Sequence, residues 1–119
     1  MVRRYWQDLW GGSDLSLVDE IFSEPYVRHN RNGTERLTRA QLKADFRRYW
    51  ESFGNVQVVR LDDVVAVGDR VWSKVTIRGR DGESGDPRVV TFLHQARVAD
   101  GRLVETWSLT APDVDWKGR

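Results

Sequence analysis

The sequence predicts an α+β domain, with helices in its first half and an antiparallel sheet in its second half. Apolar residues recur at helical spacing up to residue 53, and from residue 56 onward β-branched and aromatic residues dominate four segments separated by turn signals. At 119 residues the chain is long enough for one globular domain and too short for two ordinary ones. We therefore expect one domain over residues 1–119, with helices covering one face of a curved sheet.

Two helices are predicted before the first proline. The first shows apolar residues at helical spacing and ends at Gly11-Gly12. Ser13 or Asp14 is suited to cap the second helix. This helix must end before Pro25, because the residue preceding a proline disfavours helical backbone angles.

A third helix is predicted over residues 38–53. Thr38 and Gln41 have the spacing of a capping box, in which each side chain binds the other residue's backbone amide. Between the second and third helices we expect a short extended piece at residues 26–30 and a polar loop at residues 31–36.

Four strands are predicted in the second half, followed by a loose tail after Ala111. The strands are residues 56–67, 70–80, 87–99 and 102–110. The turns between them are Gly68-Asp69, Asp81-Gly82 and Asp100-Gly101. Strands that follow one another through such short turns pair as an antiparallel meander.

Composition excludes several classes of function. The 19 basic and 18 acidic residues are scattered along the chain, without the concentrated basic face of a nucleic-acid binder. The start of the chain has no apolar segment of signal-peptide length and no run could span a membrane, so we expect a cytoplasmic protein without a membrane partner. There is no cysteine and only two histidines, far apart, so we expect no metal and no cofactor.

Three passages resemble the NTF2-like superfamily, specifically its branch of SnoaL-like polyketide cyclases and ketosteroid isomerase-like proteins. They are the Tyr-Val-Arg-His-Asn run at residues 26–30, the helix at 38–53, and the hairpin at 94–108 that ends in Glu-Thr-Trp-Ser. The resemblance spans residues 2–110. It implies a cone in which three helices and a curved antiparallel sheet enclose an apolar pocket. It also implies a homodimer formed through the outer face of the sheet.

His94 is the first candidate catalytic residue. Period-two alternation places it on one strand face with Val90, Phe92, Ala96 and Val98, so the imidazole is the polar group of an apolar face. A histidine occupies the matching place in the SnoaL-like cyclases that this chain resembles. The alternative is a buried histidine that only stabilises the core. We expect His94 to act chemically and Phe92 to line the pocket.

Ser108 is where the sequence departs from the pattern it resembles. The cyclases have an aspartate directly after the tryptophan, as their acid/base, whereas this chain has Trp107-Ser108. A hydroxyl has no useful pKa near neutrality, so Ser108 is expected to contact a ligand by one hydrogen bond. Glu105 lies on the opposite strand face by alternation and should point away.

His29 is the second candidate catalytic residue, because its position resembles that of the isomerases' catalytic base. An imidazole can accept a proton from a carbon next to a carbonyl at pH 7. Tyr5 then matches the isomerases' oxyanion-binding tyrosine. The alternatives are that His29 bonds Asn30 at the rim and that Asn30 caps the loop rather than contacting ligand. Trp50, on the apolar helix face, is the expected pocket wall.

Two functions remain open from the sequence. The first is a small cofactor-independent enzyme that transfers protons on an apolar carbonyl or polyketide-like molecule through His29 and His94. The second is a non-catalytic binder of a similar ligand, in which Ser108 has replaced the cyclase aspartate. In both, the partner is an apolar small molecule.

Overall fold

The predicted helices and strands occur in the predicted order, with one further strand between the second and third helices. The computed structural model describes residues 1–116. Helix α1 (Val2–Arg4) continues into a π-helical segment (Tyr5–Trp10), and is followed by α2 (Leu17–Ile21), β1 (Phe22–Asn30), β2 (Gly33–Leu37), α3 (Arg39–Ser52), β3 (Phe53–Val67), β4 (Arg70–Asp81), β5 (Pro87–Ala99) and β6 (Arg102–Pro112). The α+β class is thereby confirmed.

All six strands form one sheet in the order β2-β1-β6-β5-β4-β3. Strands β3 to β6 are the expected antiparallel meander. The polar loop expected at residues 31–36 is instead the turn and second strand of a hairpin, in which Asn30 pairs with Gly33. Strand β1 also pairs in parallel with β6, so the sheet is not antiparallel throughout. Alternation predicts which face a residue takes, but it does not predict which strand lies beside it.

Local sequence signals set the ends of α3. The Gln41 backbone N–H donates to Thr38 Oγ1 at 3.1 Å, and the Thr38 backbone N–H donates to Gln41 Oε1 at 2.9 Å. The predicted capping box is therefore present. At the other end the helix stops at Ser52, where the chain enters β3 directly.

The core lies between the helices and the inner face of the sheet. The helices contribute several side chains with almost no exposed surface, including Trp6, Leu9, Val18 and Ile21. The sheet contributes the inward-facing residues of its central strands: Val75, Ile77, Val90, Phe92, Ala96 and Leu103. Burial of these apolar side chains is the main favourable term that holds the helices on the sheet.

The segment after β6 is ordered rather than loose as far as residue 116. The Asp113 backbone N–H donates to the Val89 carbonyl at 2.8 Å, and Thr91 Oγ1 donates to the Val114 carbonyl at 2.7 Å. The expected loose tail is therefore wrong for residues 112–116, while residues 117–119 lie outside the described part of the chain. No helix within residues 1–116 is long and apolar enough to cross a membrane.

Candidate functional site

A cavity of about 700 Å³ opens between the helices and the inner face of the sheet. Strands β1 and β6 run toward its mouth and β5 runs away from it, so the strand positions order the lining residues by depth. The floor is formed by Tyr5, Trp6, Phe22, Tyr26, His94 and Thr106. The mouth is bordered by Asn30, Arg31, Asn32, Arg48, Ser52 and Arg88.

His94 lies on the cavity floor because of strand alternation. On β5 the neighbours Phe92 and Ala96 are buried with it, while Leu93 between them is exposed on the other face. His94 is opposite Ser73 on β4 and Ser108 on β6, and only 4% of it is exposed. The sequence prediction placed the imidazole on this face, and the structure does so.

Aromatic rings surround the His94 imidazole. Tyr5 stacks on it with a centroid distance of 5.4 Å, and Trp6 meets it edge-on at 5.2 Å. Its Nδ1 is buried without a hydrogen-bond partner in the described residues, which leaves Nε2 as the nitrogen that faces the cavity. Burial lowers the pKa of His94 to about 4, so the ring is neutral at pH 7.

Two tyrosine hydroxyls accompany His94 on the floor. Burial raises the pKa of Tyr5 to about 12, so its hydroxyl keeps its proton at neutral pH. The Tyr26 hydroxyl shares a close hydrogen bond with Thr106 Oγ1, and burial raises the pKa of Tyr26 further. Within residues 1–116 the floor therefore offers neutral hydrogen-bonding groups and no fixed charge of its own.

Ser108 lies on the inner face of β6, directly across from His94. Thr106 and Thr110, two residues before and after it, also line the cavity and complete a row of three hydroxyls. The carboxylates that line the cavity within residues 1–116 are Glu35 and Asp45, which belong to the charged side near the mouth. The floor thus lacks the acid that a polyketide cyclase of the resembled type would place at Ser108.

An ion-pair network that centres on Arg28 forms the charged side of the cavity. Arg28 Nη2 donates to Asp45 Oδ2 at 2.8 Å and to Glu35 Oε2 at 3.2 Å. Arg48 forms a close ion pair with the other oxygen of Asp45. Arg28 is not among the site residues predicted from the sequence. Alternation on β1 could have indicated it, because Tyr26, Arg28 and Asn30 share the strand face that lines the cavity.

His29 lies on the outer face of the sheet and does not line the cavity. Its Nε2 is 2.6 Å from Glu105 Oε2, its Nδ1 is 2.8 Å from Thr34 Oγ1, and its ring stacks on Trp107 at 5.0 Å. The expectation that His29 and His94 share one cavity is therefore wrong. The same alternation that turns Arg28 inward turns His29 outward.

Hydrogen bonds on the outer face stabilise the charged form of the Glu105 carboxyl group. The hydrogen bond from His29, and then that from Arg97 at 3.2 Å, hold the pKa of Glu105 below its usual range. Glu105 points away from the cavity, as alternation predicted. The outer face thus holds its own cluster, in which ring stacking and ion pairing occur together.

The remaining candidate residues divide between lining and packing. Tyr5, Asn30 and Phe92 line the cavity. Trp50 does not line it, so the expectation that it forms a wall is wrong. Its ring packs against Phe46 with a centroid distance of 5.4 Å. Trp10 lines the cavity instead, from the π-helical segment. No group of three or more potential metal-ligating residues occurs in residues 1–116.

Fold and site together define an α+β cone in which His94, Ser108 and two tyrosine hydroxyls line a cavity between the helices and the sheet. The profile of the SnoaL-like domain matches residues 2–106, and the chain belongs to this family of the NTF2-like superfamily. None of the curated proteins matches the chain.

Solved structures share the fold at low sequence identity. A proposed polyketide cyclase from Acidithiobacillus ferrooxidans has a TM-score of 0.80 and 15% identity, over 92% of this chain and 84% of that one. A proposed SnoaL-like polyketide cyclase from Jannaschia sp. CCS1 has a TM-score of 0.79 and 23% identity, over 92% and 81% of the two chains. IdmH, a proposed polyketide cyclase from Streptomyces antibioticus, has a TM-score of 0.74 and 22% identity, over 88% of this chain and 86% of that one. These similarities show the fold alone.

Proposed function

We propose that the cavity binds a largely apolar carbonyl compound, polyketide-like in character, and that His94 transfers a proton on it without a cofactor. The observation that carries the proposal is the position of His94. It is a neutral imidazole at the floor of an aromatic-lined cavity, with Nε2 as its accessible nitrogen. Isolated polar groups in apolar pockets are typical of sites that orient and react with small ligands.

In this mechanism the ligand's carbonyl lies beside the floor hydroxyls and its adjacent C–H faces His94. Nε2 accepts the proton from that carbon, and the electron pair of the C–H bond moves toward the carbonyl oxygen. The Tyr5 hydroxyl, which keeps its proton because its pKa is about 12, donates a hydrogen bond to that oxygen. Nε2 then returns the proton to the carbon skeleton at the same or a neighbouring position.

The low pKa of His94 limits the strength of this base without excluding the reaction. In ketosteroid isomerases the base has a pKa of about 4.6, and strong hydrogen-bond donors to the oxygen compensate for its weakness. Because the pKa of His94 is about 4, the imidazole is available as a base at every pH well above that value. Turnover should therefore fall as the pH approaches 4 and not vary with His94 ionisation near pH 7.

Non-catalytic binding of a similar ligand is the second candidate function. It is favoured by the floor's composition, in which Ser108 stands where an acid would be and His29 lies on the other face of the sheet. A single imidazole must then both accept and return the proton. A binder needs no such step, and the same aromatic walls would hold its ligand.

Hydrogen–deuterium exchange of the bound ligand separates the two functions. Carbonyl compounds that raise the melting temperature are incubated in D₂O, and NMR follows the loss of the proton next to the carbonyl. Proton transfer predicts exchange that His94→Gln slows about 10²- to 10⁴-fold, with ligand affinity kept within about tenfold. His29→Gln is the matched control and should exchange at the wild-type rate. A tight ligand that never exchanges with the wild type establishes the binder instead.

We also propose that the protein forms a homodimer through the outer face of the sheet. Support comes from three large apolar side chains there: Trp72, Leu93 and Leu109 are 52%, 45% and 69% exposed. Leu93 and Leu109 are paired across β5 and β6, so they form one contiguous patch. Sedimentation should give a dimer for the wild type and a monomer for Leu109→Lys. A wild-type monomer at high concentration contradicts this assembly.

A further inference from the structure

The cavity has a strong polarity gradient along its length. Its floor is built from aromatic rings and neutral polar groups, with His94 the deepest titratable nitrogen. Toward the mouth the lining becomes cationic, with Arg28, Arg31, Arg48 and Arg88 against two lining carboxylates. A ligand that spans this length meets an apolar environment at one end and guanidinium groups at the other.

The two carboxylates do not neutralise this side of the mouth. Glu35 and Asp45 both bind Nη2 of Arg28, and Asp45 gives its other oxygen to Arg48. Arg31 follows β1, and its side chain makes no ion pair or hydrogen bond within residues 1–116. The two carboxylates therefore pair with Arg28 and Arg48, and Arg31 is left as an additional cation on this side of the mouth. Arg88, at the far side of the mouth, has Asp81 and Asp113 as its own partners.

Neutral hydrogen-bond donors lie beside the surplus cation. Asn30 Oδ1 accepts the Asn32 backbone N–H at 2.9 Å, which leaves the Asn30 amide N–H groups as donors. Both asparagines line the cavity together with Arg31. Guanidinium forks and amide donors are the groups that bind a carboxylate with directional hydrogen bonds.

We propose that the ligand is a carboxylic acid, whose apolar body occupies the floor and whose carboxylate binds at the mouth between Arg31 and Arg48. This inference rests on the proposed function, namely that the cavity binds a small molecule. A permanent carboxylate charge is disfavoured at the floor, because the lining guanidinium groups lie toward the mouth and a charge in an apolar site without such a partner carries a large desolvation cost. The carboxylate therefore fixes the direction in which the ligand enters, with its reacting end toward His94.

A matched pair of probes tests this orientation. Pyrene-1-butanoate and pyrene-1-butanol share one apolar body and differ only in the charged end. Fluorescence titration at low salt should give an affinity for the acid about tenfold above that for the alcohol. The preference should decrease in concentrated salt, because the arginines at the mouth are partly exposed and are screened.

Variants assign the preference to the mouth. Arg31→Gln combined with Arg48→Gln should remove most of the preference for the acid and leave the affinity for the alcohol within about twofold. The control combines Arg36→Gln with Arg47→Gln, two exposed arginines that do not line the cavity, and should behave as wild type. NMR signals of the His94 imidazole should shift with either probe, which locates binding in the cavity.

The outcomes separate this inference from the function on which it rests. If both probes shift His94 and bind equally well, or if the arginine variants retain the preference, the carboxylate assignment is wrong while cavity binding stands. If neither probe binds or shifts His94, cavity binding of such molecules is wrong and the inference fails with it.

Discussion

The two histidines occupy opposite faces of one sheet and have opposite environments. His94 is buried among aromatic rings with one nitrogen unpartnered in the described residues, whereas His29 is on the outer face with both nitrogens hydrogen-bonded. Both residues are histidines, and both lie on strands that contribute other residues to the cavity wall. One position along a strand decides whether an imidazole faces the cavity or binds a carboxylate on the outer face.

This contrast shows which property makes an imidazole a candidate for chemistry. At His94 burial removes water from a group that has no charged partner, so its pKa falls. At His29 the nearby Glu105 accepts a hydrogen bond, and this contact lowers the pKa of the carboxyl group. Desolvation therefore lowers the pKa of the imidazole on the inner face, whereas hydrogen bonding lowers the pKa of a carboxyl group on the outer face.

The largest expected effect is the loss of folding stability on acidification because of His94. Its pKa is about 4 in the folded protein against 6.5 ordinarily, so between these values the unfolded chain binds a proton that the folded protein does not. This contribution is full above pH 6.5 and is lost as the pH falls to about 4, amounting to about 3 kcal/mol. Urea unfolding at several pH values measures it.

Two variants serve as the comparison. His94→Gln cannot titrate, so its stability should fall less steeply between pH 6.5 and 4 than that of the wild type. His29→Gln retains His94, so its unfolding free energy should still show the fall between pH 6.5 and 4 that His94 causes. Equal slopes for His94→Gln and the wild type would show that the buried imidazole does not titrate as its burial implies.

A smaller effect, on the pKa of His94, is expected from introducing a carboxylate beside it. Ser108 lies directly across from His94, and cross-strand partners have Cβ atoms about 5 Å apart. In Ser108→Asp the new negative charge should favour the imidazolium and raise the pKa of His94 by at least about 1. NMR titration measures this, with Ser108→Asn as the uncharged control. An unchanged pKa in the aspartate variant would contradict the cross-strand geometry.

The smallest expected effect is the change in unfolding free energy when Glu105 on the outer face is replaced. Glu105→Gln weakens the contacts with His29 and Arg97, both partly exposed, so unfolding free energy should fall by less than about 1 kcal/mol at pH 7. Denaturant unfolding measures the change. Because this site is separate from the floor, ligand affinity should not change. A loss of ligand binding in this variant would mean that the two faces of the sheet are coupled.

Local signals in the sequence predicted most of the fold. The meander, the capping box and the inward face of β5 follow from turn residues, capping spacing and alternation, all of which depend on neighbours in the chain. The parallel pairing of β1 with β6 depends on contacts far apart in sequence, and no local pattern encodes it. The hairpin of β1 and β2 was not predicted, because charged residues at successive positions interrupt the alternation of apolar and polar residues that indicates a strand.

The candidate site was predicted in part. Tyr5, Asn30, Phe92, His94 and Ser108 line the cavity, whereas His29 and Trp50 do not. His29 was chosen by positional resemblance to a catalytic base, and a shift of one residue along β1 reverses the direction of the side chain. Arg28 could not be assigned to the site from the sequence, because an arginine is expected to be solvent-exposed until its partner Asp45 on α3 is known.

The parallel seam between β1 and β6 has a consequence for the order of folding. The meander forms from neighbouring hairpins, whereas the seam joins Arg28 to Thr106 and must close a long loop of chain, which slows its formation. Tyr26 meets Thr106 across this seam, so the floor is complete only after it closes. Ligand binding should therefore appear in refolding kinetics after the hairpins have formed, with Trp107 stacking on His29 as an optical signal of closure.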